Sequence, residues 1–248
     1  MTTGTASLGT PPGGTPCLGL IVPPAHGRVP DDGAALYGER VRFIARGLGL
    51  PEISARGYDE VIDHVVGLAG ELAAEGAQAV SLMGTSLSFF RGARFTEELR
   101  EALADATGLP ATTMSQAILR AMQAVGLRRV AVATAYIDDV NDRLAGFLSA
   151  SGVEATTVRG LSITGVEAVG RVPTEALVAL CEEVWHAGPG ADGILISCGG
   201  LLTLEAIPIL EARLGVPVVS SSPAGFWDVM RVAGLDSRSP GHGRLFEI

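Results

Sequence analysis

The chain contains no lysine, so all 18 of its Lys-or-Arg side chains are arginine. That single absence excludes chemistry that needs an ε-amine. Pyridoxal phosphate has no residue for its Schiff base, biotin has no attachment point, and a Walker A loop has no phosphate-gripping lysine. Other signals are missing as well. No GxGxxG fingerprint follows a strand-like run, and the four histidines (His26, His64, His186, His242) are scattered, with none at metal-ligand spacing. The three cysteines (Cys17, Cys181, Cys198) are odd in number and form no CxxC pair, which argues against a disulfide framework or a zinc site and fits a reducing cytoplasm. The net charge is −9 and no basic run occurs, so a nucleic-acid partner is not expected. No apolar stretch approaches the roughly 20 residues that cross a bilayer. The first twenty residues carry no basic side chain, as a secretory signal would, and residues 1–17, rich in Gly, Thr and Pro, read as a flexible leader. The expectation is a cytoplasmic protein with no membrane contact.

What is present is ample apolar material. Of 248 residues, 47% are hydrophobic and 18% charged, enough for a substantial core in one large or two small domains. Short apolar runs predict strands at Leu18–Val22, Ala79–Met83, Ala111–Thr113, Val130–Thr134, Gly193–Ser197 and Val216–Ser220. Each is bounded by turn residues, as in parallel strands buried on both faces. Amphipathic stretches alternate with them. Val61, Ile62, Val65, Leu68 and Leu72 fall at helical spacing within Asp59–Glu75, with Gly76 at the C-terminal cap position. Thr96 is placed to cap a helix ending before Gly108, Asp138 or Asp139 to cap one closed by Gly152, and Leu177, Leu180, Val184 and Trp185 mark another. Strand–helix alternation of this kind predicts doubly wound parallel sheets.

The chain also repeats itself. LGLIVPP at Leu18–Pro24 answers VAVATAY at Val130–Tyr136, AVSLMGTSL at Ala79–Leu87 answers ILISCGGL at Ile194–Leu201, and LPATTMSQA at Leu109–Ala117 answers VPVVSSSPA at Val216–Ala224. Three matches in one order at nearly one offset predict two pseudo-symmetric Rossmann-like lobes. Lobe 1 is read as 18–125 plus 224–248 and lobe 2 as 126–223. Ligands of such sheets bind beyond the carboxyl ends of the strands, so the site is expected in the cleft between lobes.

Two loops reach that cleft, Gly84-Thr85-Ser86 and Cys198-Gly199-Gly200, each expected to lead from a buried strand into a helix. Amides at a helix N-terminus favour a carboxylate, hydroxyls add donors, and glycines let a ligand approach the backbone. Taken alone, such short motifs are more often turns and caps. The repeat, which brings both to one cleft, tips the balance to function. Cys198 ends a strand beside Gly199, where a thiol that is mostly protonated at neutral pH can give a proton to a carbanion. Cys181 sits on an apolar helical face and reads as inert core, and Cys17 as incidental at the end of the leader. Tyr136, in place of Pro24 in the second lobe, fits an anion donor and a packed interface residue equally well. His26 fits a surface position or the cleft mouth.

At these loops the sequence resembles the aspartate/glutamate racemase superfamily, whose pattern is two lobes with a cysteine from each facing across the substrate. Here Gly84 stands at the first of those positions, a departure shared with the arylmalonate decarboxylases. The resemblance covers nearly all of the chain after the leader, through IVPPAHGRVPDDGA, FIARGLGL, VSLMGTSLSFFRG, ATAYIDDVNDRLA, ITGVEA, ILISCGGLLTL and VPVVSSSPAGFWD. It implies a dioxyanion hole formed by Thr85, Ser86, Tyr136 and the N–H groups of Cys198 and Gly199. It implies an apolar and aryl-binding lining from Pro24, Leu50, Ile53, Tyr58, Met83, Gly84, Leu87, Val166 and Val169, with Ile53 and Val169 departing in side chain from the family pattern. Cys198 would protonate the enediolate left when CO2 departs. The expected function is cofactor-free, enantioselective decarboxylation of an α-aryl malonate, with no metal and a small dicarboxylate as partner, in a monomer or weak oligomer. Two rivals stand beside it. One is a racemase or cis–trans isomerase of the same fold, disfavoured because Gly84 has no proton to give. The other is a non-catalytic module that binds small carboxylates.

Overall fold

Two sheets of four parallel strands carry the fold in the computed structural model, which describes residues 14–248. The first contains β1 (Cys17–Val22), β2 (Arg42–Gly47), β3 (Val80–Leu82) and β4 (Ala111–Thr113) in the order β2-β1-β3-β4. The second contains β5 (Arg129–Thr134), β6 (Glu154–Gly160), β7 (Gly193–Ser197) and β8 (Val218–Ser220) in the equivalent order β6-β5-β7-β8. The three matched segments of the sequence therefore supply β1 and β5, β3 and β7, β4 and β8. All six are buried along almost their whole length, which is why they stand out as apolar runs.

The remaining two strands, β2 and β6, were not expected. Each is an edge strand bonded on one side only, half-exposed, and carries arginine (Arg42, Arg46; Arg159) in place of an apolar run. Charge on an edge also discourages pairing with another sheet. Cys17 is the first residue of β1, buried and in register with Arg42, so it belongs to the sheet and not to a leader. Gly14 to Pro16 precede it outside any strand or helix, with the Pro16 carbonyl accepting from Arg42 N–H at 2.8 Å, and the rest of the leader reading falls on residues 1–13, outside the described residues.

Helices cover the sheets: α1 (Asp32–Tyr37), α2 (Ala55–Val61), α3 (Val65–Ala74), α4 (Thr85–Phe89), α5 (Ala93–Thr107), α6 (Met114–Ala124), α7 (Asp138–Ala150), α8 (Val166–Val169), α9 (Thr174–Ala187), α10 (Ala206–Leu214) and α11 (Ser221–Val232). The helix expected over Asp59–Glu75 is broken by a 3-10 turn at Ile62–His64. Thr96 lies inside α5, which starts at Ala93. Its hydroxyl donates to the carbonyls of Ser88 and Gly92 instead of capping. Asp138 and Asp139 occupy the first turn of α7 after an Ile137 cap, where their charge still meets the positive helix end. Gly108, at φ 65°, closes α5 as expected.

One helix ties the halves together. α11 follows β8 of the second sheet yet packs on α6, β4 and α1 of the first. Asp228, on α11, is 1% exposed and accepts from Arg120 Nη1 at 2.7 Å and from Thr112 Oγ1 of β4. Burying a carboxylate is tolerable because both partners are charge-assisted donors or close hydroxyls.

Candidate active site

The strand ends of both sheets open on one cleft, which holds a cavity of about 340 Å³. Its first-lobe wall comes from the turn after β3 (Met83, Gly84) and the start of α4 (Thr85, Ser86, Leu87). Pro23 and Pro24 after β1, and Leu50 and Ile53 after β2, extend that wall. The second lobe adds Val166 and Val169 of α8 and the turn Cys198-Gly199-Gly200 after β7. Contacts across the cleft fix the two lobes: Ile53 N–H donates to Thr164 O at 2.9 Å, and Arg143 Nη1 to Phe90 O at 3.1 Å.

Two expected site residues do not line the cavity: Tyr58, expected in the aryl-binding lining, and Tyr136, expected in the dioxyanion hole. Tyr58 and Tyr136 are fully buried and stand behind the wall, around the Ser86 hydroxyl. Their contacts with Ser86 are too long or too bent for normal hydrogen bonds, and among the described residues Tyr58 Oη has no partner. The Tyr136 hydroxyl accepts from Ser197 Oγ at 3.4 Å and faces the Cys198 sulfur. Burial holds both phenols protonated, well above the usual tyrosine range.

Cys198 is 6% exposed. Burial pushes its thiol up to about 11, opposed in part by the Gly200 N–H and the Tyr136 hydroxyl aimed at the sulfur. The thiol is therefore an acid, fully protonated at neutral pH. Its backbone has φ 154°, a region that residues with a side chain rarely adopt, and such strain persists only where surrounding structure imposes it. The turn does not lead directly into a helix, contrary to expectation. Leu201 N–H returns to Cys198 O at 3.2 Å, and α10 begins only at Ala206. Gly199 packs so closely that a Cβ there would lie 2.8 Å from Met114 Sδ. Gly84, at the equivalent position, has ordinary extended φ −122° and ψ 98°.

Two expected donors are engaged within the protein. Thr85 Oγ1 donates to Met114 Sδ at 2.7 Å, and Cys198 N–H to Ser221 Oγ at 3.3 Å. Met114 and Ser221 are equivalents in the repeat, each just after the fourth strand of its sheet. Sequence reasoning missed Met114, Ser221, Ser222 and Asp32 as site residues. The first three lie inside the repeated segments, and that symmetry was the available signal. His26 satisfies both of its readings: it is exposed, lines the cavity mouth and lies 3.8 Å from Glu167 across the cleft. Cys181 is fully buried on α9, its thiol pushed up to about 12 by burial. Among the described residues no group of three or more His, Cys, Asp or Glu is placed to hold a metal, and no helix is long and apolar enough to cross a membrane.

Two four-stranded parallel sheets that share a cleft, with a single thiol at its centre, define an α/β protein of the aspartate/glutamate racemase class. A maleate isomerase from Pseudomonas putida S16 has the same fold, at TM-score 0.84 and 22% identity over 93% of this chain and 98% of its own. Residues 18–246 match the arylmalonate decarboxylase family model, and the chain belongs to that family. It is 60% identical to the arylmalonate decarboxylase of Bordetella bronchiseptica over 94% of this chain and 97% of that one. It superposes at TM-score 0.92 and 59% identity on a liganded arylmalonate decarboxylase carrying a Gly-to-Cys and a Cys-to-Ser substitution, with 94% and 99% of the two chains covered. The two substituted positions in that variant are 114 residues apart, as are Gly84 and Cys198.

Proposed function

We propose that the protein is a carboxy-lyase that decarboxylates α-aryl malonates without a cofactor and delivers the proton from Cys198 to one face of the intermediate. The observation that carries the reading is the lone protonated thiol in a cavity that also offers it amide, hydroxyl and aliphatic neighbours. Losing CO2 leaves charge on the carboxylate that stays. Thr85, Ser86 and the Gly199 N–H line the cavity where donors to that charge are needed. Fixed donors aimed at developing charge stabilise the enediolate more than the ground state. On binding, the Thr85 hydroxyl exchanges Met114 Sδ for a carboxylate oxygen, and the Cys198 N–H exchanges Ser221 Oγ. Tyr136 supports the thiol from behind. Leu50, Ile53, Leu87, Val166 and Val169 surround the departing carboxylate with hydrocarbon, where an ion is poorly solvated.

The thiol then protonates the planar carbanion. An acid on one face gives one enantiomer, and Gly84 offers none from the other. A racemase needs acids on both faces, so this asymmetry favours the decarboxylase. The test is incubation with phenylmalonate after exhaustive chelation, with no cofactor added, following CO2. Release at an enzymatic rate is the expected result. No release, or release only after a cofactor is restored, would overturn the reading.

A further inference from the structure

The cavity has a second polar end that the chemistry above does not use. Asp32, at the start of α1, and Ser222, in the first turn of α11, both line it. Asp32 is 7% exposed and Ser222 1%. Among the described residues Asp32 has no ion-pair partner, although a buried carboxyl ordinarily requires one. The Ser222 hydroxyl likewise has no hydrogen-bond partner among the described residues. The two side chains face each other without reaching hydrogen-bond geometry, and burial raises the Asp32 carboxyl above the usual range. Two unpartnered polar groups, each more than nine-tenths buried, therefore look into one space.

They stand apart from the thiol. Asp32 and Ser222 are carried by α1 and α11, whereas the thiol follows β7. Their neighbours also differ from those of the aliphatic wall. Gly33 packs against Phe226 of α11, and Gly225 against Met83 and Met114. Gly200, by contrast, faces Val169. A ligand with its retained carboxylate at Thr85 and Ser86 and its departing carboxylate among the aliphatic side chains leaves the wall of Met83, Met114, Asp32 and Ser222 to its ring.

Resting on the decarboxylase reading, we infer that Asp32 and Ser222 form a subsite for a hydrogen-bond-donating substituent, so that the favoured substrate is an arylmalonate with a hydroxyl or amino group on its ring. Such a group donates to Asp32 and accepts from Ser222, giving both buried side chains the partner they lack. A bare phenyl ring leaves both unpaired. Hydrogen bonds to buried groups of this kind discriminate by about ten-fold or more.

The test compares phenylmalonate with its meta- and para-hydroxy and its meta- and para-methoxy derivatives. It uses the wild-type protein, Asp32→Ala and Ser222→Ala. One hydroxy isomer should exceed phenylmalonate in kcat/KM by about ten-fold, its methoxy counterpart should show no such gain, and each substitution should pull the hydroxy-to-unsubstituted ratio towards one. Calorimetry with hydroxyphenylacetate and phenylacetate should rank the same way without turnover. Absence of any phenylmalonate turnover by the wild type would sink the decarboxylase reading. Turnover of phenylmalonate with no hydroxy preference, or a preference matched by methoxy or surviving both substitutions, would sink the subsite alone.

Discussion

Moving the thiol from one lobe to the other is the sharpest test of the site. Gly84→Cys with Cys198→Ser should keep the protein folded and active while inverting the product. The backbone of Gly84 is already in a region open to any residue. A Cβ there would lie 3.2 Å from Leu87 Cβ, 3.4 Å from Leu87 Cδ2 and 3.4 Å from Pro23 Cγ. Only the first is tight, so Leu87 must give by a few tenths of an ångström, while the two at 3.4 Å are ordinary van der Waals contacts. The cost is at the low end for overpacking, about 1 kcal/mol. Reduced freedom of the unfolded chain offsets it by roughly 0.4–1 kcal/mol. The melting temperature of a chain this size should then fall by no more than about 4 °C. The fold of the family accommodates such a pair, since the doubly substituted relative retains it. The assay is chiral chromatography of arylpropionate made from an α-methyl arylmalonate in deuterated water. The enantiomer opposite to wild type is expected. An active double variant giving the wild-type enantiomer would refute the pseudo-twofold geometry. A melting temperature lowered by more than about 10 °C would refute the steric estimate.

The thiols carry four further expected outcomes. Cys198→Ser should lower kcat by about 10²–10⁴-fold, the usual contribution of a positioned acid, with an unchanged melting temperature; near-wild-type turnover would remove Cys198 from the mechanism. Cys181→Ala empties a little core volume on α9 and should cost about 1–2 kcal/mol in urea unfolding with kcat unaltered; a selective activity loss would mean the reacting thiol had been misassigned. The rate should show no thiol ionisation between pH 7 and 9 and should fall towards about 11, where Cys198 loses its proton. Stability should fall in the same alkaline window. The folded pKa of Cys198 lies above its ordinary 9.0, so the unfolded chain releases that proton first and gains as pH rises from 9.0 to about 11. A rate profile that climbs with an apparent pKa near 8 would show thiolate, not thiol, to be the active form.

The architecture was legible where burial is complete. The six interior strands announce themselves as apolar runs because water touches neither face, and the two lobes are written in the sequence as a repeat. The edge strands β2 and β6 escaped because RFIARG and EATTVRG mix charge with apolar residues, and their identity as strands comes from partners far along the chain. The thiol and both glycines flanking the cleft could be read from the strand-end position. The two tyrosines could not be placed in depth: a phenol on the cavity surface and one a layer behind it look alike in sequence. Asp32 was hidden in PDDGA, a string that reads as a turn, because burial of its carboxyl depends on α11, nearly two hundred residues later.

The path of α11 has a consequence for how the enzyme is made. A ribosome releases the whole first sheet, then the whole second, before it releases the helix that seals the first. Until α11 docks, Asp228 has not met Thr112 and Arg120, the inner face of α6 is bare, and the Cys198 amide lacks the Ser221 oxygen. The first lobe thus emerges early but is finished last, through contacts of long sequence separation that form slowly. During that interval the nascent chain displays an apolar helix face, the kind of surface that chaperones engage. Docking of a single helix therefore completes the core of one lobe and the resting turn at Cys198 of the other together.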